Sequence, residues 1–65
     1  MSELREIRRA RGLTLESVAY LAGVDAATVS RIERGEVLPR PETVVTIARA
    51  LGVSVKRITP KEPGA

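Results

Sequence analysis

The chain has 65 residues, of which 11 are basic and 8 acidic, for a formal net charge of +3. A chain this short buries only about 60% of its unfolded surface, enough for one small core but not for an enclosed catalytic pocket. It contains no cysteine and no histidine, which excludes disulfide staples and the usual zinc-finger ligand sets.

The stretch SELREIRRARG predicts a first helix, with Ser2 as N-cap, Leu4 and Ile7 facing inward and Gly12 as the stop. Its arginines, Arg5, Arg8, Arg9 and Arg11, read mostly as a solvated face balanced by Glu3 and Glu6. In LTLESVAYLAG, Thr14 caps a second helix that sets Leu15, Val18, Ala19 and Ala22 at helical spacing before Gly23. The stretch GVDAATVSRIERG forms the third. Asp25 is a good N-cap, able to accept from the backbone N–H of Ala27 or Thr28, and Gly35 suits the stop. Val29 and Ile32 lie three apart on one face, which leaves Ala26, Ala27, Thr28, Ser30, Arg31 and Arg34 outside.

GEVLPRP is a loop, and Pro41 then takes the first position of a fourth helix with Glu42 in its first turn. Val44, Ile47, Ala48 and Leu51 form its apolar stripe up to Gly52. Ser54 caps a last short helix carrying Val55 and Ile58. Thr59 onward, TPKEPGA, reads as a loose tail, so a domain over residues 1–58 is followed by a tail over 59–65. No strand signal competes with these helices.

Met1 is followed by polar and charged residues, and no apolar run approaches the ~20 needed to span a membrane. With the lack of cysteine, this points to a cytoplasmic protein. No cofactor, metal or small-molecule ligand is indicated. An enzyme is not expected, because there is no histidine or cysteine and no carboxylate pair at a concave site. The positive balance hints at a polyanion. Tyr20 is the sole aromatic residue, too little to stack unpaired bases, so single-stranded nucleic acid is not expected as a target.

The second and third helices carry the strongest signal. Two helices joined by a tight turn cross closely only where the contact residues are small. Ala19 supplies this, and four residues on Gly23 supplies a turn position tolerant of positive φ. Val24, Val29 and Ile32 anchor the third helix on the second. That spacing is the one a helix-turn-helix requires, its second helix held out to enter a major groove.

From Leu4 to Val55 the pieces RGLT, LAGV, TVSRIERG, the proline-bearing loop and IARALGVSV follow in order, and the chain resembles the Cro and phage-repressor type of helix-turn-helix regulators. The resemblance implies an all-α, five-helix, lambda-repressor-like domain that binds double-stranded DNA. It also implies a transcriptional repressor acting as a symmetric dimer on a palindromic operator. Leu15 stands where the family often has glutamine, which removes one polar contact. Ala26 and Ala27 open the recognition helix where glutamine, arginine or serine is frequent; they can touch a thymine methyl but cannot hydrogen-bond a base edge. Thr28 and Arg31 align with base-facing positions. Thr14, Tyr20, Ser30, Arg34 and Arg40 align with phosphate or minor-groove positions, although Tyr20 can instead cover the core edge.

Arg8 lies four residues after Leu4, and Glu33 four after Val29, so each charge falls on an apolar stripe. Two opposite charges so placed can cancel if their helices pack, and the resemblance implies the same pairing. Val55 and Ile58 offer a partner surface, cut short by Thr59 and Pro60, so a weak homodimer assembled on DNA is expected. The rival reading is an antitoxin-like or adaptor module that grips a protein through the same fold. Against it, no exposed aliphatic or aromatic patch is expected beside Arg31, Arg34 and Arg40.

Overall fold

The structure, a computed structural model, describes residues 2–59, with Ser2 through its backbone alone. Five helices follow in order: α1 (Ser2–Ala10), α2 (Leu15–Ala22), α3 (Ala26–Glu33), α4 (Pro41–Leu51) and α5 (Val55–Ile58). The described residues contain no strand. The cap expected of the Ser2 side chain, and the tail beyond Thr59, lie outside the described residues.

The starts follow from capping. Thr14 is extended, and its hydroxyl accepts from the Ser17 N–H at 3.0 Å, opening α2. Asp25 does the same for α3, its carboxylate accepting from the Thr28 N–H at 2.7 Å. Pro41 opens α4 without needing a donor partner. Ser54 departs from expectation: it stands at the N-cap of α5, but its side chain makes no capping bond. A one-turn helix gains little from a cap, and α5 is held by packing instead.

α1, α2, α3 and α4 stop in one way, with paired backbone bonds that close back on the last turn. At α2, Gly23 donates to Tyr20 O and Val24 to Ala19 O; at α3, Gly35 donates to Ile32 O and Glu36 to Arg31 O. This stop needs a left-handed residue, and Gly23 (φ +75°) and Gly35 (φ +73°) take that conformation without a Cβ clash.

Leu4, Val18, Val29, Ile32, Ile47 and Leu51 are fully buried, with Ile7, Val44 and the small Ala19, Ala22 and Ala48 around them. α2 packs on both α3 and α4, while α1 and α5 close the far side. Ile58 is 2% exposed and belongs to this core. Its expected place on a partner surface is therefore corrected, because the side chain is already used within its own domain. Val55 stays exposed.

Candidate nucleic-acid interface

The turn between α2 and α3 sets the site. Val24 is half-buried against the core and pins the chain just after Gly23, so α3 leaves at a fixed angle. Asp25 then fixes its first turn. Hydrogen bonding by the Thr28 side chain and then its N–H holds the Asp25 carboxyl below the usual carboxylate range, and the Arg31 charge adds to this.

Along α3, Val29, Ile32 and Glu33 are buried, and this inward face consumes the residues the fold requires. Ala27 and Arg31 are exposed, Thr28 and Ser30 half-buried. Ala26 is drawn partly into the core, so of the two expected leading alanines only Ala27 is fully presented. Arg34 and Arg40 are exposed beyond the end of α3. Thr14 is exposed at the start of α2, its hydroxyl 2.9 Å from the Ser17 hydroxyl. Tyr20 is 87% exposed and does not cover the core edge, because Ala19 and Ala22 close that part of α2 by themselves.

The far end of α3 is clamped. Arg8 Nε donates to Glu33 Oε2 at 2.6 Å and Nη2 to Oε1 at 3.1 Å, a two-pronged match of guanidinium and carboxylate. Arg8 Nη1 also donates to Leu13 O at 2.9 Å, so one side chain ties α1, the turn before α2 and the end of α3 together. The hydrogen bond to Glu33 raises the Arg8 pKa above its ordinary value despite the opposing effect of burial. Arg5 adds a looser contact, its Nε 3.4 Å from Glu33 Oε1.

Three features escaped the sequence. Glu3 serves α5, accepting from Arg57 Nε at 2.9 Å, where it was expected to balance the arginines of its own helix. Glu36 pairs with Arg34 at 3.1 Å. Leu38, 79% exposed, and the exposed Val37 lie between Arg34 and Arg40, so aliphatic surface does occur beside the arginines. A pairing of residues 3 and 57 has no local signal, and the two aliphatics look like core candidates until the loop is seen to run outside. No helix among the described residues is long and apolar enough to cross a membrane.

Comparison with known proteins agrees with this geometry. A family described as a helix-turn-helix domain matches residues 2–58. The HTH-type transcriptional repressor RghR of Bacillus subtilis is 42% identical over 52 residues, 78% of this chain and 38% of that protein. The HTH-type transcriptional regulator y4dJ of Sinorhizobium fredii is 39% identical over 62 residues, 94% of this chain and 80% of that one. The chain spans about two-fifths of the length of RghR and of its namesake RghRB. The crystal structure of the restriction-modification controller protein C.AhdI from Aeromonas hydrophila superposes with a TM-score of 0.85 at 33% identity, covering 88% of this chain and 86% of that one. The clp gene regulator ClgR from C. glutamicum gives 0.80 at 32% identity, with 88% and 74% covered. A capped, clamped and outward-facing α3, in a five-helix fold shared with these regulators, places the chain in the helix-turn-helix family of DNA-binding transcription regulators of the Cro and phage-repressor kind, which are not enzymes.

Proposed function

We propose that the domain binds a palindromic DNA operator as a symmetric dimer and represses transcription, with α3 in the major groove. Arg31 carries the reading: it is exposed on the outer face of α3, with the small side chains of Ala26, Ala27 and Thr28 ahead of it at the helix start. A small leading edge lets the helix sit deep, and a long arginine then reaches the groove floor, where it can bridge guanine O6 and N7. Ala26 and Ala27 supply methyl contacts. Thr14, Tyr20, Ser30, Arg34 and Arg40 hold the backbone, and the Arg8–Glu33 clamp keeps the far end of α3 from swinging.

Repression is supported by RghR, a relative named as a repressor. With Ile58 in the core, Val55 remains as the apolar part of the partner surface, small enough that two copies assemble on DNA rather than before it. Selection from a random duplex pool at low salt tests this reading. It should return a palindrome with half-sites about 34 Å apart, bound by a protein that sediments as a monomer when free. A single unrepeated site, or a tight free dimer at micromolar concentration, would contradict it.

A further inference from the structure

α1, α2 and α4 each end in the same backbone pattern, and the residue after the left-handed glycine is apolar and rests against the core: Leu13, Val24 and Val53. α3 ends in that pattern too, with the Glu36 N–H donating to Arg31 O at 3.0 Å. Glu36, however, is exposed and charged. Its carboxylate gains nothing from the helix it follows, since the C-terminal end of a helix dipole is negative and disfavours an anion. What it does hold is Arg34. Arg34 Nε lies 3.1 Å from Glu36 Oε2 and 3.4 Å from Ser30 O, so the guanidinium is folded back over the end of α3 with its charge matched. Both side chains are about half exposed, at 51% and 50%, which keeps the pair weak enough to open.

We infer that Glu36 sets the affinity of the domain for DNA by occupying Arg34 in the free protein and releasing it to a backbone phosphate through exchange of one anion for another. The inference rests on the reading of Arg34 as a phosphate contact. Each binding event gives up the Arg34–Glu36 pair and brings a carboxylate near the phosphodiester. Affinity is thereby lowered for every sequence alike, while discrimination between sequences is left to Arg31, because phosphates carry no sequence information. A regulator that must leave wrong sites quickly benefits from such a brake.

Glu36→Gln keeps the shape of the side chain and removes its charge. Wild type, E36Q, R34A and the double variant are titrated against the selected duplex and a scrambled one at several salt concentrations. E36Q should tighten both duplexes about two- to fivefold per half-site, the range an exposed ion pair spans. It should also steepen the log–log salt dependence by up to about 0.9 per half-site. In the R34A background the same substitution should do much less. Partial unfolding cannot imitate a gain in affinity. Absence of tightening overturns the inference, and equal tightening with and without Arg34 overturns it as well, by showing simple repulsion of phosphate by Glu36. If wild type binds no duplex even at low salt, the reading of the domain as a DNA binder fails first, an outcome distinct from both.

Discussion

Glu33→Gln keeps the shape of the side chain and removes the charge that Arg8 meets at 2.6 and 3.1 Å. Removing one partner of a buried ion pair typically costs about 3–5 kcal/mol, because the remaining charge has been taken out of water for no return. Arg8 retains its bond to Leu13 O, and its side chain is 11% exposed, so the lower end, about 3 kcal/mol, is expected here. A domain of this size has a total stability of about 3–10 kcal/mol, so that loss removes a third or more of it. At roughly 4–8 °C per kcal/mol, the melting temperature should fall by about 12–24 °C. Arg8→Met should do comparable damage, moderated by Arg5, whose partly exposed side chain already lies 3.4 Å from Glu33. The double variant Arg8→Met/Glu33→Gln should cost much less than the two single changes summed, since neither substitution then strands a buried charge. Urea and thermal unfolding of the four proteins, followed by circular dichroism, closes the cycle. A cost below about 1 kcal/mol for Glu33→Gln, or additivity within about 0.5 kcal/mol, would refute the buried clamp.

Ile32→Ala, at a fully buried position of α3, should cost about 2–5 kcal/mol; an unchanged melting temperature would show that the core does not depend on it. Arg31→Ala should weaken the selected duplex and flatten preference at one base pair per half-site, a loss of about 1–3 kcal/mol of discrimination. Arg40→Ala should instead weaken all duplexes alike and reduce the salt slope by about 0.9 per half-site, and equal weakening of selected and scrambled duplexes by Arg31→Ala would move Arg31 to the backbone. The Asp25 cap should depend on pH: its carboxyl is held low in the folded state, so its contribution is complete above the ordinary aspartate value near 3.9 and fades as pH falls through the lower folded value. The melting-temperature gap between wild type and Asp25→Ala should accordingly close in acid, and a gap of equal size at about pH 2 and pH 7 would contradict this.

What the sequence disclosed and what it hid divide along the range of the interaction. Thr14, Asp25 and Gly35 declare themselves because capping and stopping are settled within a few residues. Arg8 and Glu33 were visible for another reason: each is a charge on an apolar stripe, a conflict that two packed helices can resolve. Val55 and Ile58 could not be told apart, since a four-residue helix is too short to show a period. Only contact with the rest of the core selects Ile58. Tyr20 looked able to cover the core edge because a large ring seldom stands free, yet Ala19 and Ala22 already complete that face. The Arg34–Glu36 pair was hidden because residues two apart do not meet on a helix. They meet here because the left-handed Gly35 between them turns the chain off the helix.

The same division explains why α3 can be both fixed in place and free to vary in what it presents. Its inward face is consumed by Val29, Ile32 and the clamped Glu33, its start by Asp25 and its stop by Gly35. Nothing in the fold asks for arginine at position 31 or for alanine at 27; either could change without opening the core, since both are exposed. The scaffold therefore fixes where a recognition surface stands, and the exposed residues fix what it prefers. Glu36 belongs with the second group. It occupies a place in the stop where α1, α2 and α4 use an apolar residue, and α3 keeps its stop without one. A position the fold does not need filled in that way is free to adjust how available the neighbouring arginine is to the phosphate proposed for it.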